Sequence, residues 1–251
     1  MTARKVGSSG KFQLVLESAW MVTPRVREMT FARVDAATIK YVPGQFVTLH
    51  MPYDGNMLRR SYSIASIPKP HQQSISIAVT HVEAGRATRL LYGMEPGDRV
   101  NAVGPFGRFV LRDDPSCRYL LIGTGTGVTP YRAMLPELER RIHLGGFSVE
   151  LFLGVRGPDE LLYGEDFQAC AQNHADFNFH ACFSRVMPQS TTPLQHKGYV
   201  QDLMETVKPD PERDIVYLCG NPDMIDLAAT RLKGKGFSVQ NIRREKYVSS
   251  N

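Results

Sequence analysis

Cysteine is scarce in this 251-residue chain, and its four cysteines lie far apart. Cys117, Cys170, Cys182 and Cys219 contain no C-x-x-C pair, which argues against a zinc site and against an iron–sulfur cluster. The seven histidines are scattered, with no H-E-x-x-H spacing, and read as surface or packing residues, so no metal site is expected. Any electron the chain carries should therefore reside on an organic cofactor. No apolar run approaches the roughly 20 residues that a membrane span requires, and Met1 to Lys11 holds no apolar stretch resembling a signal peptide. These absences predict a cytoplasmic protein without membrane contact. Internal repeats and low-complexity tracts are missing too. Thirty Lys and Arg against 25 Asp and Glu leave a net charge of only +5, enough to favour an acidic partner but no signature of nucleic-acid binding. A monomer is expected.

The composition that remains, 42% hydrophobic and 22% charged, is that of a globular chain long enough for two domains. From Phe12 to about Leu111 the signals are short strands, clearest at Gly44–Leu49 and at Ser74–Val79, where Ile75, Ile77 and Val79 are predicted to face one way. Turns at Pro43-Gly44, Asp54-Gly55 and Gly97-Asp98 separate them, so residues 1–112 read as a small antiparallel β-barrel interrupted by one helix at Thr88 to Met94. After the polar stretch Arg112–Ser116 the pattern changes. Strands at Tyr119–Ile122, Val149–Leu153, Asn178–Phe183 and Ile215–Cys219 alternate with helices at Pro130–Ile142, Leu161–Gln172, Val200–Val207 and Pro222–Lys233. Residues 113–251 therefore read as an α/β domain with a doubly wound parallel sheet, whose ligands bind beyond the carboxyl ends of its strands. The loop after Ile122, Gly154, Ser184 and Gly220 all fall at that edge.

Two phosphate-handling patterns stand out. On one strand Arg60 and Tyr62, two apart in Arg60-Ser61-Tyr62-Ser63, project from one face, the cation toward a phosphate and the ring toward a flat heterocycle. In Gly123-Thr124-Gly125-Thr126-Gly127-Val128-Thr129-Pro130, closely spaced glycines leave a strand and let backbone N–H groups approach a pyrophosphate at the start of a helix. The spacing is not G-x-G-x-x-G, and the second strand ends in Gly154-Val155-Arg156 where an acidic residue would hold a ribose hydroxyl. Arg156 suits a 2′-phosphate better, which favours NADP over NAD.

Over nearly its whole length the chain resembles the plant- and bacterial-type ferredoxin–NADP reductases. Their R-x-Y-S motif is present as Arg60, Tyr62 and Ser63. The resemblance implies that Arg60 contacts the FAD pyrophosphate, that Tyr62 packs on the flavin and that Ser63 lies near flavin N5. Gly85-Arg86-Ala87-Thr88 is similar to the family's second pyrophosphate element, with Thr88 expected to cap the following helix. Ser184-Arg185 and Lys197-Gly198-Tyr199-Val200-Gln201 look like the 2′-phosphate and adenine site, with Tyr199 stacking on the base. Cys219-Gly220-Asn221-Pro222-Asp223-Met224 resembles the C-G-x-x-x-M segment, which implies that Cys219 shapes the nicotinamide pocket rather than acting as a nucleophile. Glu245-Lys246-Tyr247 resembles the terminal E-x-Y, whose aromatic would cover the flavin, although Val248–Asn251 extends beyond it here.

The resemblance implies an FAD enzyme that moves a hydride between nicotinamide C4 and flavin N5 and exchanges electrons with ferredoxin or flavodoxin. Basic residues near the exposed flavin edge, with Arg59 as an example, would steer an acidic carrier. The alternatives are a reductase component of an oxygenase, a free-standing NAD(P)H-dependent flavin reductase, and a redox sensor that keeps the fold without turnover.

Overall fold

The computed structural model describes residues 10–248, which form two compact units: one of residues up to Leu111 together with Thr129–Met134, the other of Arg112–Val128 and the residues from Leu135 onward. In the first unit six strands build one antiparallel sheet: β1 (Gly10–Thr23), β2 (Val26–Arg33), β3 (Phe46–Tyr53), β4 (Asn56–Ser63), β5 (Ser74–Thr80) and β6 (Arg99–Phe106). Their order is β4-β3-β6-β1-β2-β5. A bridge between Ile64 and Ile77 joins the two edges just beyond β4, curling the sheet on itself. Period-2 alternation supplies the core, with Leu14 and Leu16, Met29 and Phe31, Val47 and Leu49, and Val100 and Ala102 pointing inward. On β5, Ile75, Ile77 and Val79 join that core as expected, but Ser76 and Ala78 are buried as well, Ser76 through a hydroxyl contact of 2.9 Å with Thr30.

A single helix of about two turns, α1 (Arg86–Tyr92), follows β5. Its C-terminal carbonyls are gathered by Arg27 of β2, whose Nη1 donates to the carbonyls of Leu91 and Tyr92 at 2.9 and 2.7 Å and whose Nη2 donates to that of Met94 at 3.0 Å. The expected N-cap at Thr88 is incorrect. The helix begins two residues earlier, Gly85 occupies the cap, and the buried Thr88 hydroxyl instead accepts the Val82 N–H at 3.2 Å. A hydroxyl inside the first turn reaches back to the incoming loop rather than to its own helix.

The second unit is a parallel six-stranded sheet: β7 (Arg118–Thr124), β8 (Ser148–Val155), β9 (Phe177–Phe183), β10 (Gln195–Lys197), β11 (Asp214–Gly220) and β12 (Ile242–Lys246). The order β10-β9-β8-β7-β11-β12 places the reversal of winding between β7 and β11. Helices α2 (Thr129–Leu144), α3 (Gly164–Asn173), α4 (Val200–Leu203) and α5 (Pro222–Gly234) connect the strands, with Thr129–Met134 at the start of α2 grouping with the first unit, and α4 continues as a 3-10 turn over Met204–Val207. Leu120, Ile122, Phe152, Val216 and Leu218 pack against Val200, Ile225 and Leu232 on one face of the sheet, as near-continuous apolar strands require.

Two arginines, the buried Arg141 and the half-buried Arg118, hold the amino-terminal edge of this sheet. Arg141 is 3% exposed; it donates to the Arg112 carbonyl at 2.6 Å, to Glu137 at 3.0 Å and to the Tyr119 hydroxyl, and it lies over the rings of Tyr119 and Phe147. Hydrogen bonds from Arg140 and Arg141 hold the Glu137 carboxyl down at about 2. Arg118, at the start of β7, grips the fully buried Asp214 of β11 with two donors at 2.9 and 2.6 Å. Removing one partner of such a pair leaves an uncompensated buried charge. Asp214→Ala should therefore lower the free energy of unfolding by about 3 kcal/mol, measured by urea denaturation; a loss under about 1 kcal/mol, the range of exposed ion pairs, would show the contact to be incidental.

Candidate functional site

In the barrel unit, β4 presents Leu58, Arg60 and Tyr62 on one face, half-buried, while Arg59 and Ser61 are exposed on the other. Tyr62, like Leu58 and Tyr41, packs against the barrel core, and burial raises its phenol well above the ordinary value, so its hydroxyl stays neutral. Arg60 donates to the Arg59 carbonyl at 2.8 Å, and Ser61 shares a hydroxyl contact of 2.9 Å with Thr48 on β3. Ser63 closes the strand, 6% exposed. Gly85, Arg86, Ala87 and Thr88 follow β5, with the exposed Arg86 side chain lying over the Tyr53 ring at 5.9 Å and Arg89 approaching the Tyr53 hydroxyl at 3.5 Å. Tyr53 and Arg89 were not anticipated. Their signal lies in the pairing of β3 and α1, which no local motif carries. One planar ring and several cations on a single barrel suit a ligand with a flat heterocycle and a pyrophosphate.

In the α/β unit, the carboxyl ends of β7 and β11 approach so closely that glycine is required. A side chain on Gly127 would come within 2.3 Å of the Cys219 carbonyl oxygen, and one on Gly220, whose φ is +116°, within 2.6 Å of the Thr124 hydroxyl. That hydroxyl accepts the Asn221 N–H at 2.9 Å, and the Asn221 side chain accepts the Met224 N–H at 3.0 Å, capping α5. Gly123, Thr124, Gly125, Thr126 and Gly127 thus line the winding reversal from β7, and Gly220, Asn221 and Met224 line it from β11. Thr129 and the buried Pro130 open α2; the Thr129 hydroxyl, 2% exposed, has no hydrogen-bond partner among the described residues. A half-buried backbone cradle at a switch point, with an unspent hydroxyl at the next helix, fits a pyrophosphate ligand.

Cys219 is fully buried and paired across the sheet with Glu245 of β12, while the Tyr247 N–H donates to the Gly220 carbonyl at 2.8 Å and the Tyr247 side chain hydrogen-bonds Cys219. Burial, reinforced by Glu245, holds the Cys219 thiol well above its ordinary value despite that hydrogen bond. A thiol so buried and held protonated is not activated as a nucleophile. Cys219, Glu245 and Tyr247 therefore form one cluster at the ends of β11 and β12.

Farther along the same edge, Ser184 and Arg185 leave β9, Lys197 ends β10 opposite Phe183, and the Gly198 N–H donates to the Phe183 carbonyl at 2.9 Å. Arg156 follows β8, and its carbonyl accepts the Arg185 N–H at 3.0 Å, which draws the two basic residues onto one loop pair. Lys197, Tyr199, His196 and Cys182 line a cleft of about 240 Å³. Tyr199 is 59% exposed, an open aromatic face beside a cation. Gln201 lies two residues on, where its carbonyl accepts from Arg231 at 2.6 Å. His196 was missed, although it immediately precedes Lys197.

The oxidoreductase FAD-binding domain family matches residues 13–111 and the oxidoreductase NAD-binding domain family residues 121–230. Over 249 residues the chain is 30% identical to ferredoxin–NADP reductase B of Sorangium cellulosum (strain So ce56), covering 94% of this chain and 97% of that protein. It is 28% identical over 231 residues to the reductase component of propane 2-monooxygenase from Rhodococcus jostii (strain RHA1), covering 91% of this chain but 61% of that protein, so it spans about three fifths of this relative. Among solved structures it superposes on the cytochrome P450 reductase of Amycolatopsis with a TM-score of 0.82 and 27% identity, covering 96% of this chain and 71% of that one. Among the described residues no helix is long and apolar enough to cross a membrane. With both cofactor domains matched and near full-length identity to a named member, this chain belongs to the ferredoxin–NADP reductase family of FAD- and NAD(P)-binding oxidoreductases.

Proposed function

We propose that this oxidoreductase takes its hydride from NADPH and delivers electrons to an acidic ferredoxin or flavodoxin. The observation that carries the choice of NADPH is the gathering of Arg156, Ser184, Arg185 and Lys197 near the exposed Tyr199 at the ends of β8, β9 and β10. Arginine offers a planar fork and lysine a point charge, together a receptor for a dianionic phosphate, while Tyr199 offers its face to adenine. Gly123–Gly127 with Thr129 and Pro130 would hold the pyrophosphate, and Gly220, Asn221 and Met224 would frame the nicotinamide.

In the barrel unit, Arg60 and the Gly85–Thr88 segment would hold the FAD pyrophosphate, with Tyr62 packed on the ring and Ser61 and Ser63 supplying hydroxyls near it. When bound, FAD supplies the chemistry: it accepts a hydride at N5 and releases electrons one at a time. The chain's own residues then bind, orient and exclude water, and no acid–base triad is required. Cys219, Glu245 and Tyr247 belong to this reading as positioning groups at the nicotinamide end, with the Tyr247 ring as the cover for the flavin.

A second reading, a reductase component serving an oxygenase, is supported by the likeness to the propane 2-monooxygenase reductase component. Stopped-flow reduction by NADPH, followed by mixing with purified ferredoxin, flavodoxin and an oxygenase component, separates the two. Fast oxidation only by the oxygenase component would overturn the first. For an acidic carrier steered by exposed cations, the second-order rate should fall steeply with ionic strength, and Arg59→Glu should slow it several-fold at low salt. A rate indifferent to salt would remove the electrostatic part of the proposal.

The combined Arg185→Ala, Lys197→Ala variant should weaken NADPH about 100-fold or more while leaving NADH nearly unchanged, because each lost charge-assisted contact is worth about 1.5–3 kcal/mol. Equal losses for both nucleotides, measured as dissociation constants, would show that these cations do not read the 2′-phosphate. Arg60→Ala should yield folded protein depleted of flavin, read from the ratio of flavin to protein absorbance. Full occupancy would show that the β4 motif is misassigned.

A further inference from the structure

On the edge of the parallel sheet away from the glycine loop, two helices bring together four side chains that the redox reaction does not use. Glu139 and His143 sit four residues apart on α2, so they share one face; Cys170, on α3, and His174, just past its end, have the same spacing. The ligand atoms of Glu139, Cys170 and His174 all lie within 4.8 Å of one another, and His174 Nε2 is 3.5 Å from a Glu139 carboxylate oxygen. Cys170 is 3% exposed, and its thiol hydrogen-bonds the Glu139 carboxylate. His143 stands edge-on to the His174 ring, with centroids 5.0 Å apart, and its Nδ1 is 2.8 Å from the Glu139 carbonyl oxygen. That carbonyl can only accept, so Nδ1 is the donor, and Nε2 is the nitrogen turned to a metal in the arrangement in which metal-binding histidines are usually held.

We propose that Glu139, Cys170 and His174 form a binding site for a zinc-type divalent transition-metal ion, with His143 or water as the fourth ligand. A thiolate, an imidazole and a carboxylate suit zinc, whose bonds of about 2.0–2.3 Å give tetrahedral edges of about 3.3–3.7 Å. The present separations need only small side-chain rotations to reach them. The Glu139 side chain is 37% exposed, which leaves a path for the ion and room for a water ligand. Binding forms the metal–sulfur bond as the thiol proton is released to solvent, and no electron is transferred. The site departs from the expectation of no metal, which rested on C-x-x-C and H-E-x-x-H spacings and overlooked two pairs at i and i+4 on separate helices. Glu139 stands ten residues along α2 from Thr129, about 15 Å at ~1.5 Å per residue, so the ion would pin α2 to α3 without touching the dinucleotide.

The test uses the flavin-loaded full chain after chelator treatment and gel filtration. Zinc is titrated in competition with a chromophoric chelator, and cobalt(II) is added in a parallel arm for its ligand-field absorption at wavelengths beyond the flavin bands. We expect one zinc per chain, a tetrahedral cobalt spectrum, and affinity lowered about 100-fold in Cys170→Ser and in His174→Gln, and about 10-fold in His143→Ala. Thermal unfolding of the wild type should shift upward with zinc and stay fixed in Cys170→Ser. Wild type that competes no better than Cys170→Ser, or an octahedral cobalt spectrum identical to that of the free aquo ion, would overturn the site. If one variant fails to fold, judged by flavin content and near-ultraviolet circular dichroism, the wild-type cobalt spectrum and the remaining variants decide the question.

Discussion

Where β7 and β11 end, two segments of backbone touch with no side chain between them, and much of the α/β unit is arranged around that contact. Gly127 faces the Cys219 carbonyl, Gly220 faces the Thr124 hydroxyl, and a methyl group at either position would collide with backbone or with the hydroxyl that orders it. The contact leaves the Thr124 hydroxyl free to accept the Asn221 N–H, and Asn221 in turn starts α5. It also leaves Cys219 sealed from water between Gly123 and Glu245. An anionic ligand at this edge would therefore meet backbone amides, with the Thr124 hydroxyl and the Asn221 side chain committed to holding the loops in place and the Thr129 hydroxyl still unpaired.

The polar groups of this unit fall into two classes that differ in what they can contribute to folding. Asp214 with Arg118, and Arg141 with Glu137 and Tyr119, are buried and satisfied on several sides, so losing one partner costs several kcal/mol. Arg185, Lys197 and Arg156 are exposed at strand ends, where an ion pair is worth at most about 1 kcal/mol to stability. Cations so placed do little for the fold and remain available to a ligand. The barrel divides in the same way: Arg27 is spent on three carbonyls at the end of α1, while Arg86 is held only loosely over Tyr53.

Much of this division can be read from the residues themselves. Buried parallel strands such as Tyr119–Ile122 and Ile215–Cys219 are apolar throughout and are bounded by glycine or polar turns, so both their existence and their carboxyl ends are plain. The strands that escape reading are β10 and β12. Gln195–Lys197 is too short to show a period and follows a Pro-, Ser- and Thr-rich loop; Ile242–Lys246 is an edge strand in which only Ile242 is buried, so its charged residues resemble a tail. Tertiary pairing alone makes them strands, yet they carry Lys197 and Glu245. The Thr88 error has a similar origin, because a hydroxyl near a helix start can serve either its own helix or the preceding loop, and here the Val82 N–H lies closer.

The metal cluster lies at the limit of what local motifs can show. Each helix alone offers an ordinary pair at i and i+4, and neither pair would bind an ion by itself. The strand order β9-β8-β7 makes α2 and α3 successive crossovers running in the same direction. Right-handed connection then places them side by side on one face of the sheet, with their carboxyl ends at the same edge. Their amino ends point instead to the edge where the dinucleotide is proposed to bind. The two sites therefore sit at opposite ends of shared helices, and α2, running from Thr129 to His143, is the element through which occupancy of one could bear on the other.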